Sequence, residues 1–476
     1  MNEIELRLAR LRELMKREHL SAFIFPSTDA HQSEYVADHW RGREWISGFN
    51  GSAGTAVVTM KSAALWTDSR YFLAAEEQLE GTEYQLMRLK IEGTPTIAEW
   101  LEKELQDVQS PEVGLDGMVN SYNYVKDLIY SLRKLGGITL RTNLDPLAQI
   151  WENRPSLPAN PVEIQPLEYA GETLASKVAR IRKSLRELHA DGMLVSALDD
   201  IAWTLNLRGT DVHYNPVFVS YLLIESGKVS LFVDDNKLSP EVKQYLQDNQ
   251  VSLYKYNKVE KCLESYSEYN ILLDGDETSY YLWKAVKCQE IVAAGSPIPA
   301  MKAVKNKAEI EGYHSAMLKD GVAMVKFLKW LKPAVEAGGQ TEISIDEKLT
   351  SLRAEQKLFR DISFDTIAGY AQHGAIVHYE ATPETDVVLK PEGLILIDSG
   401  AQYQDGTTDI TRTIALGPVS QEMKHVYTLV LKAHIQLELV KFPDGASGTQ
   451  LDAVGRECMW REGYNFLHGT GHGVGS

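Results

Sequence analysis

The sequence predicts a mixed α/β chain: two like α/β domains in tandem, followed by an α+β region in which helices cover one face of a mostly antiparallel sheet. Three observations predict it. Residues 7–29 (RLARLRELMKREHLSAFIFPSTD) recur at a constant offset of 170 as residues 177–199 (KVARIRKSLRELHADGMLVSALD), with Ala9, Arg10, Arg12 and Asp29 matched by Ala179, Arg180, Arg182 and Asp199. Pro155, Pro158, Pro161 and Pro166 crowd the segment NRPSLPANPVEIQP, a composition that removes backbone donors and favours extended linker geometry. A second break, GSPIPAMKAVKN, precedes a long helical pattern that begins near Lys307. These breaks predict domains at 1–155, 165–298 and 300–476.

In each copy of the repeat an amphipathic helix, apolar at i, i+3 and i+4, leads into a short apolar strand. Ala64–Asp68 (ALWTD) and Ser230–Asp234 (SLFVD) read as further strands that end in aspartate. Repeats of this length are duplicated domains rather than solenoid units. In the third region, residues 307–331 read as one long helix closed by Pro333. A second helix starts near Thr341, where Thr341–Ser344 and Asp346–Glu347 offer capping groups and early negative charge. Strands follow in SFDTIAGY, GLILIDSGAQ and TTDITRTIAL, then a helix over 420–441. That order of helices and strands is the α+β pattern.

Composition excludes several classes. Of 476 residues, 44% are hydrophobic and 24% charged, the balance of a globular protein rather than a disordered, collagen-like or disulfide-rich chain. No window approaches ~18 uninterrupted apolar residues, so no membrane span is predicted. The charged N-terminus lacks the apolar core of a signal peptide. Three scattered cysteines, Cys262, Cys288 and Cys458, are too few for a disulfide framework or a zinc knuckle, and point to a reducing cytoplasm. A net charge of −17 repels phosphate backbones, which argues against nucleic acid or an anionic membrane as partner.

The segment LILIDSGAQYQDGTTDITRT is the most informative in the chain. Asp398 ends an apolar run and Asp409 lies in the following strand. A turn centred on Tyr403–Gln404 sets the two carboxylates directly opposite each other, ~5 Å apart at Cβ. A turn on Asp405–Gly406, itself a strong hairpin signal, sets Asp398 opposite Thr413 instead. Opposed carboxylates at the end of an apolar strand are costly unless neutralised, and a pair of divalent cations would neutralise them. The competing reading makes both aspartates solvated turn residues. In FLHGTGHGVGS the histidines His468 and His472 are four apart, but the surrounding glycines make a helix unfavourable; one ring could meet a metal and the other a substrate. AQHGAIVHYE contributes His373 and His378, for which a satisfied structural role is the default expectation. Gly51–Gly54 reads as a tight turn rather than a phosphate cradle, because no GK[ST] follows. The cluster Trp40, Trp45 and Trp66 reads as core and interface.

Taken together, LIDSGAQYQDGTTDITRT, GAIVHYE and LHGTGHGVGS resemble the aminopeptidase P family, metallopeptidases with the pita-bread catalytic fold. STDAHQSEY (27–35), SGFNGSAGTA (47–56), WTDSRYF (66–72) and LRGTDVHYNPVF (207–218) extend the likeness to the long, three-domain cytosolic form over essentially the whole chain. The resemblance implies two creatinase-like N-terminal domains followed by a pita-bread domain that is incomplete here. It implies Asp398, Asp409 and His472 as ligands of two divalent metal ions, most suitably Mn2+, with Co2+ or Zn2+ as alternatives. It implies His378 and His468 as histidines that contact substrate and help move protons, and sets Arg208 and His213 near the substrate entrance, a structural loop being the alternative for Arg208–Asn215. Asp405 matches no ligand position and reads as a turn residue. The implied reaction is release of the N-terminal residue from peptides with proline second, through a hydroxide bridged by the two ions. The family's last two ligands are glutamates beyond the HGTGHG segment, whereas the chain ends four residues after His472; the expectation is therefore a truncated, inactive chain that binds metal weakly, cut from an active homodimeric enzyme. The alternatives are a prolidase-type Xaa-Pro dipeptidase, a metal-free creatinase-type hydrolase, and a non-enzymatic pita-bread binding module. Asp398, Asp409 and His472 speak against the last two, and the duplicated N-terminal domains against a short prolidase.

Overall fold

The structure, a computed structural model, describes residues 2–473 of the chain. It divides into two compact units, Met1–Asp68 with Phe72–Gly312, and Ser69–Tyr71 with Tyr313–Ser476.

The first unit contains two six-stranded sheets of the same design. One is built from β1 (Ala22–Phe25), β2 (Thr55–Thr59), β3 (Ala63–Thr67), β4 (Tyr84–Arg88), β5 (Glu112–Leu115) and β6 (Thr139–Arg141). The other is built from β7 (Gly192–Val195), β8 (Ser220–Glu225), β9 (Val229–Val233), β10 (Val251–Lys255), β11 (Asn270–Leu273) and β12 (Glu290–Ala293). Their spatial orders are β4-β3-β2-β1-β5-β6 and β10-β9-β8-β7-β11-β12. In both, the two strands that follow the first pair antiparallel in a meander, and every other neighbour is parallel. The repeated helices are α1 (Glu3–Arg17) and α2 (Leu174–Glu187), each leading into the central strand. Both central strands, AFIF and GMLV, are buried throughout, as sheets covered on both faces require. ALWTD and SLFVD become β3 and β9, the same position in each sheet.

The tryptophans of this unit are structural. Trp66 is buried and donates its indole N–H to the Pro95 carbonyl at 2.8 Å, Trp40 is buried, and Trp45 stacks on Trp151 with ring centroids 5.3 Å apart. The glycine-rich loop hugs β3: a Cβ at Gly54 would lie 3.0 Å from the Trp66 carbonyl oxygen. All three cysteines are free. Among the described residues, no helix is long and apolar enough to cross a membrane.

The second unit is organised by α3 (Lys307–Ala337) and α4 (Glu342–Ala354). Expectation and structure differ at the end of α3, which continues through Pro333 to Ala337. A proline there forfeits one hydrogen bond. Leu331 and Val335, buried on either side of it, keep the turn packed against the core, and the helix ends where Gly338 and Gly339 take φ of 87° and 82°. Thr341 caps α4 in a reciprocal box with Ser344.

The strands are β13 (Phe359–Ile362), β14 (Ile367–Tyr370), β15 (Leu394–Ser399), β16 (Ala401–Tyr403), β17 (Gly406–Thr407) and β18 (Ile410–Ala415). They form two antiparallel three-stranded sheets, β13-β16-β17 and β14-β15-β18. Along β15 burial alternates: Ile395, Ile397 and Ser399 are buried, and both isoleucines pack with Phe327, Leu331 and Leu349 from the helices. Leu394, Leu396 and Asp398 lie on the other face, half-buried. Period-2 alternation thus delivers Asp398 to the side away from the helical core. Two further helices, α5 (Gln421–Leu439) and α6 (Gly448–Trp460), pack against each other.

Polar pins join α3 to α4 and to the sheet. Arg353 of α4, fully buried, donates to Asp320 of α3 at 2.7 and 3.1 Å, and the Tyr403 hydroxyl donates to the same aspartate at 3.3 Å. Removing one partner of a buried ion pair leaves an uncompensated charge, which costs ~3–5 kcal/mol. Asp320→Ala is therefore expected to lower the stability of the second unit by about that amount, seen as an earlier urea transition of Trp330 and Trp460 fluorescence while the first unit's transition stays in place.

Candidate metal centre

The centre is built on one long hairpin. Gln402 pairs with Thr407 and Tyr403 with Gly406, so the turn residues are Gln404 and Asp405. The same register continues past the strand junction, where Asp398 pairs with Thr411. The two registers left open by the sequence set Asp398 opposite Asp409 or Thr413; the structure adopts the one between them. The reason is tertiary. Asp405 is anchored to Lys319 of α3 at 2.6 and 2.8 Å, which fixes it inside the turn. Neither Gln404, Asp405 nor Gly406 takes a positive φ, so the Asp-Gly preference for a type I′ turn is not exercised. Asp405 is the turn residue the sequence suggested.

Gly400 makes the junction possible. A Cβ there would stand 2.0 Å from the Thr408 carbonyl oxygen and 2.1 Å from the Ser363 hydroxyl, so only glycine lets the two strands pass from one small sheet to the other. Asp409, two residues before Thr411, becomes the diagonal rather than the direct neighbour of Asp398. The two carboxylates act on each other: burial first, and then the Asp409 charge, raise the Asp398 pKa. The Thr411 side chain and the imidazoles of His378 and His472 pull it the other way. One oxygen of Asp398, Oδ1, is buried without a hydrogen-bond partner.

His472 closes on the same group, its Nε2 3.3 Å from Asp409 Oδ2. Its Nδ1 lies 2.9 Å from the Gly473 carbonyl. A carbonyl only accepts, so hydrogen-bond chemistry assigns the proton to Nδ1. A protonated ring pairs with Asp409 as a cation, and a neutral one sets its Nε2 lone pair beside the carboxylate, as two donors to one cation require. The orphaned Asp398 oxygen, the raised Asp398 pKa and the hard oxygen-plus-imidazole donor set together fit divalent metal ions. Among the described residues, no three His, Cys, Asp or Glu side chains already stand at metal-ligating spacing.

His378 lies within electrostatic reach of Asp398. Its Nδ1 is 2.8 Å from the hydroxyl of Tyr71, and the two rings meet edge to face with centroids 5.3 Å apart. Tyr71 belongs to the short stretch Ser69–Tyr71 that groups with the second unit. The contacts of His468 are local: Nδ1 approaches the Gly469 carbonyl at 2.7 Å, Arg456 donates to the His468 carbonyl at 2.5 Å, and the ring lies tilted against Phe466 with centroids 4.8 Å apart. Arg208, in the first unit, donates to the carbonyls of Ala202 and Leu207 at 3.1 and 3.0 Å, and burial lowers its pKa to about 10. His213 is exposed, 4.0 Å from Asp38. Sequence reasoning missed Tyr71 as a partner of His378; it sits in the WTDSRYF segment, but nothing in its spacing points 307 residues ahead.

Comparisons with known proteins identify the domains that hold these residues. The chain matches the Creatinase/Prolidase N-terminal domain over residues 7–140 and, through a second family of that description, over 153–309. Residues 311–476 match Metallopeptidase family M24. The hairpin carboxylates and the pita-bread sheet thus belong to an M24 metallopeptidase domain behind two creatinase-type domains. A probable Xaa-Pro aminopeptidase P of Paracoccidioides brasiliensis is 39% identical over 99% of this chain and 78% of its own length. One of Botryotinia fuckeliana is 40% identical over 99% of this chain and 73% of its own. The X-prolyl aminopeptidase of Caenorhabditis elegans, described as a cytosolic enzyme with a di-nuclear active site, superposes with a TM-score of 0.94 at 34% identity, over 100% of this chain and 80% of that one. The Xaa-Pro dipeptidase of Bacillus anthracis, 22% identical with a TM-score of 0.52 over 64% of this chain, shares the fold alone. The chain belongs to the Xaa-Pro aminopeptidase P family.

The raised Asp398 pKa has a signed consequence for stability without metal. A carboxyl whose folded pKa lies above its unfolded value contributes stability that is full below the unfolded pKa and lost as pH rises through the folded one. Metal-free protein is expected to melt at a lower temperature as pH rises from the unfolded Asp range (~4) through the raised value, and Asp398→Asn to reduce that slope and raise the melting temperature at neutral pH. Thermal scans in chelator across pH check both.

Proposed function

We propose that this chain carries the catalytic site of a metallo-aminopeptidase that releases the N-terminal residue from peptides with proline in second position. The observation that carries the reading is the pair Asp398 and Asp409 on one hairpin, one oxygen buried and unpartnered, with His472 closing on Asp409. We assign these three side chains to two divalent ions, Mn2+ before Co2+ or Zn2+, because carboxylate oxygens with one imidazole suit such metals. When bound, the ions supply Lewis acidity that acidifies water and polarises the scissile carbonyl.

The chain's own groups do the rest. Burial and the Asp409 charge raise the Asp398 pKa, so positive charge at the site favours its carboxylate form. His378 has Nδ1 engaged by Tyr71. The phenol holds that ring in one orientation for proton exchange with substrate. His468 has Nδ1 on the Gly469 carbonyl, which leaves proton work at the substrate to Nε2. Two such histidines can stabilise a developing oxyanion and return a proton to the proline nitrogen as it leaves. The substrate-binding role of Arg208 is carried by the resemblance, and its hydrogen bonds to two main-chain carbonyls make it the member of the set most occupied elsewhere.

The proposal extends to a homodimer, by likeness to the long family form, and to the cytoplasm, on three free cysteines and the cytosolic description of the Caenorhabditis elegans enzyme. The test is hydrolysis of a short Xaa-Pro-Xaa peptide by the protein with added Mn2+. Release of the first residue, reduced at least ~10³-fold by Asp409→Ala, is the expected outcome. No hydrolysis and no retained Mn2+ contradicts the reading and favours a binding module.

A further inference from the structure

Ten residues carry His378 between the end of β14 and the ATPETD loop, and they hold a shape that local preferences alone do not favour. Ala371 sits at φ 53°, a left-handed conformation that a residue with a β-carbon disfavours. The segment then folds back so tightly on β14 that a Cβ at Gly369 would lie 2.8 Å from the Gly374 nitrogen. Something must hold it there.

The holder is Glu342. It is the first residue of α4, directly after the Thr341 cap, and its side chain is fully buried. Among the described residues, no lysine or arginine pairs with it. Its carboxylate instead gathers three donors from the segment that carries His378. Oε1 accepts from the Tyr370 amide at 2.7 Å, both oxygens stand 3.0 Å from His373 Nδ1, and Oε2 accepts from the Tyr379 hydroxyl at 2.8 Å. The His373 and Tyr379 rings pack with centroids 4.5 Å apart, and the Tyr379 hydroxyl is also 3.2 Å from Thr385 Oγ1. A buried carboxylate is costly unless it is fully hydrogen-bonded; three donors and the positive end of a helix meet that need. The three anchor points fall at 370, 373 and 379, so they bracket His378 on both sides.

We propose that Glu342 is a positioning residue: by clamping Tyr370, His373 and Tyr379 it sets the backbone, and hence the ring direction, of His378. The inference rests on the proposed substrate-facing role of His378. It assigns Glu342 no contact with substrate or metal.

Two arms test it. In the 476-residue chain, hydrogen exchange of the amides at 371–379 is expected to accelerate at least ~10-fold in Glu342→Gln, and to a lesser degree in Tyr379→Phe, with β15 and β18 unchanged. In the form that hydrolyses an Xaa-Pro-Xaa peptide, Glu342→Gln is expected to lower kcat/KM ~10–100-fold in the wild-type background, the scale expected of a misplaced catalytic group. In a His378→Ala background it is expected to change kcat/KM less than ~2-fold, because the group it positions is gone. A merely structural role would cost the same factor in both backgrounds, and that result overturns the proposal, as does unchanged exchange at 371–379. If the wild-type protein hydrolyses nothing, the peptidase reading fails separately, and the exchange arm alone decides whether Glu342 anchors the segment.

Discussion

A half-buried carboxylate, Asp398, facing a second one, Asp409, is the constraint on which the second unit depends. Folding sets two like charges on one hairpin and leaves one Asp398 oxygen without a hydrogen bond. Alone, that is an unfavourable arrangement, and the surrounding structure is built so that it cannot relax. Gly400 lets the strands cross where no side chain would fit. Lys319 holds the turn at Asp405, and the Asp320–Arg353–Tyr403 cluster ties the same sheet to both helices. Rigid neighbours of this kind would preorganise the proposed cation site.

The same logic runs through the histidines. His472, His468 and His378 each have Nδ1 engaged, by two glycine carbonyls and by the Tyr71 phenol. The Nδ1 contact orients each ring, and that of His472 sets its Nε2 3.3 Å from Asp409 Oδ2. The partners of Nδ1 come from neighbouring glycines for two of them and from a residue far upstream for the third. Around His378 the second layer is deeper, because Glu342 also fixes the backbone that carries the ring.

Much of this was legible in the residues, and the misses have particular causes. The repeat at an offset of 170 is visible because burial on both faces of a central strand demands the same apolar run in each copy, and AFIF and GMLV supply it. The helix capped at Thr341 and the strand ending at Asp398 follow from local chemistry. The hairpin register does not: Asp405–Gly406 and Tyr403–Gln404 are both plausible turns, and the choice of Gln404–Asp405 is made by a lysine 86 residues away. The end of α3 was missed for a similar reason, since packing of Leu331 and Val335 outweighs the lost bond at Pro333. Glu342 carries no sequence signal at all. An acidic residue in the first turn of a helix is usually solvated, and only tertiary structure brings His373 and Tyr379 to it.

The most direct measurement is the anomalous difference density of crystals soaked in Mn2+. A common cation site predicts a peak within ligating distance of both Asp398 and Asp409, with His472 Nε2 turned to it, and its loss in Asp398→Asn. Manganese bound elsewhere, or a peak at the hairpin that persists unchanged in Asp398→Asn, would contradict it.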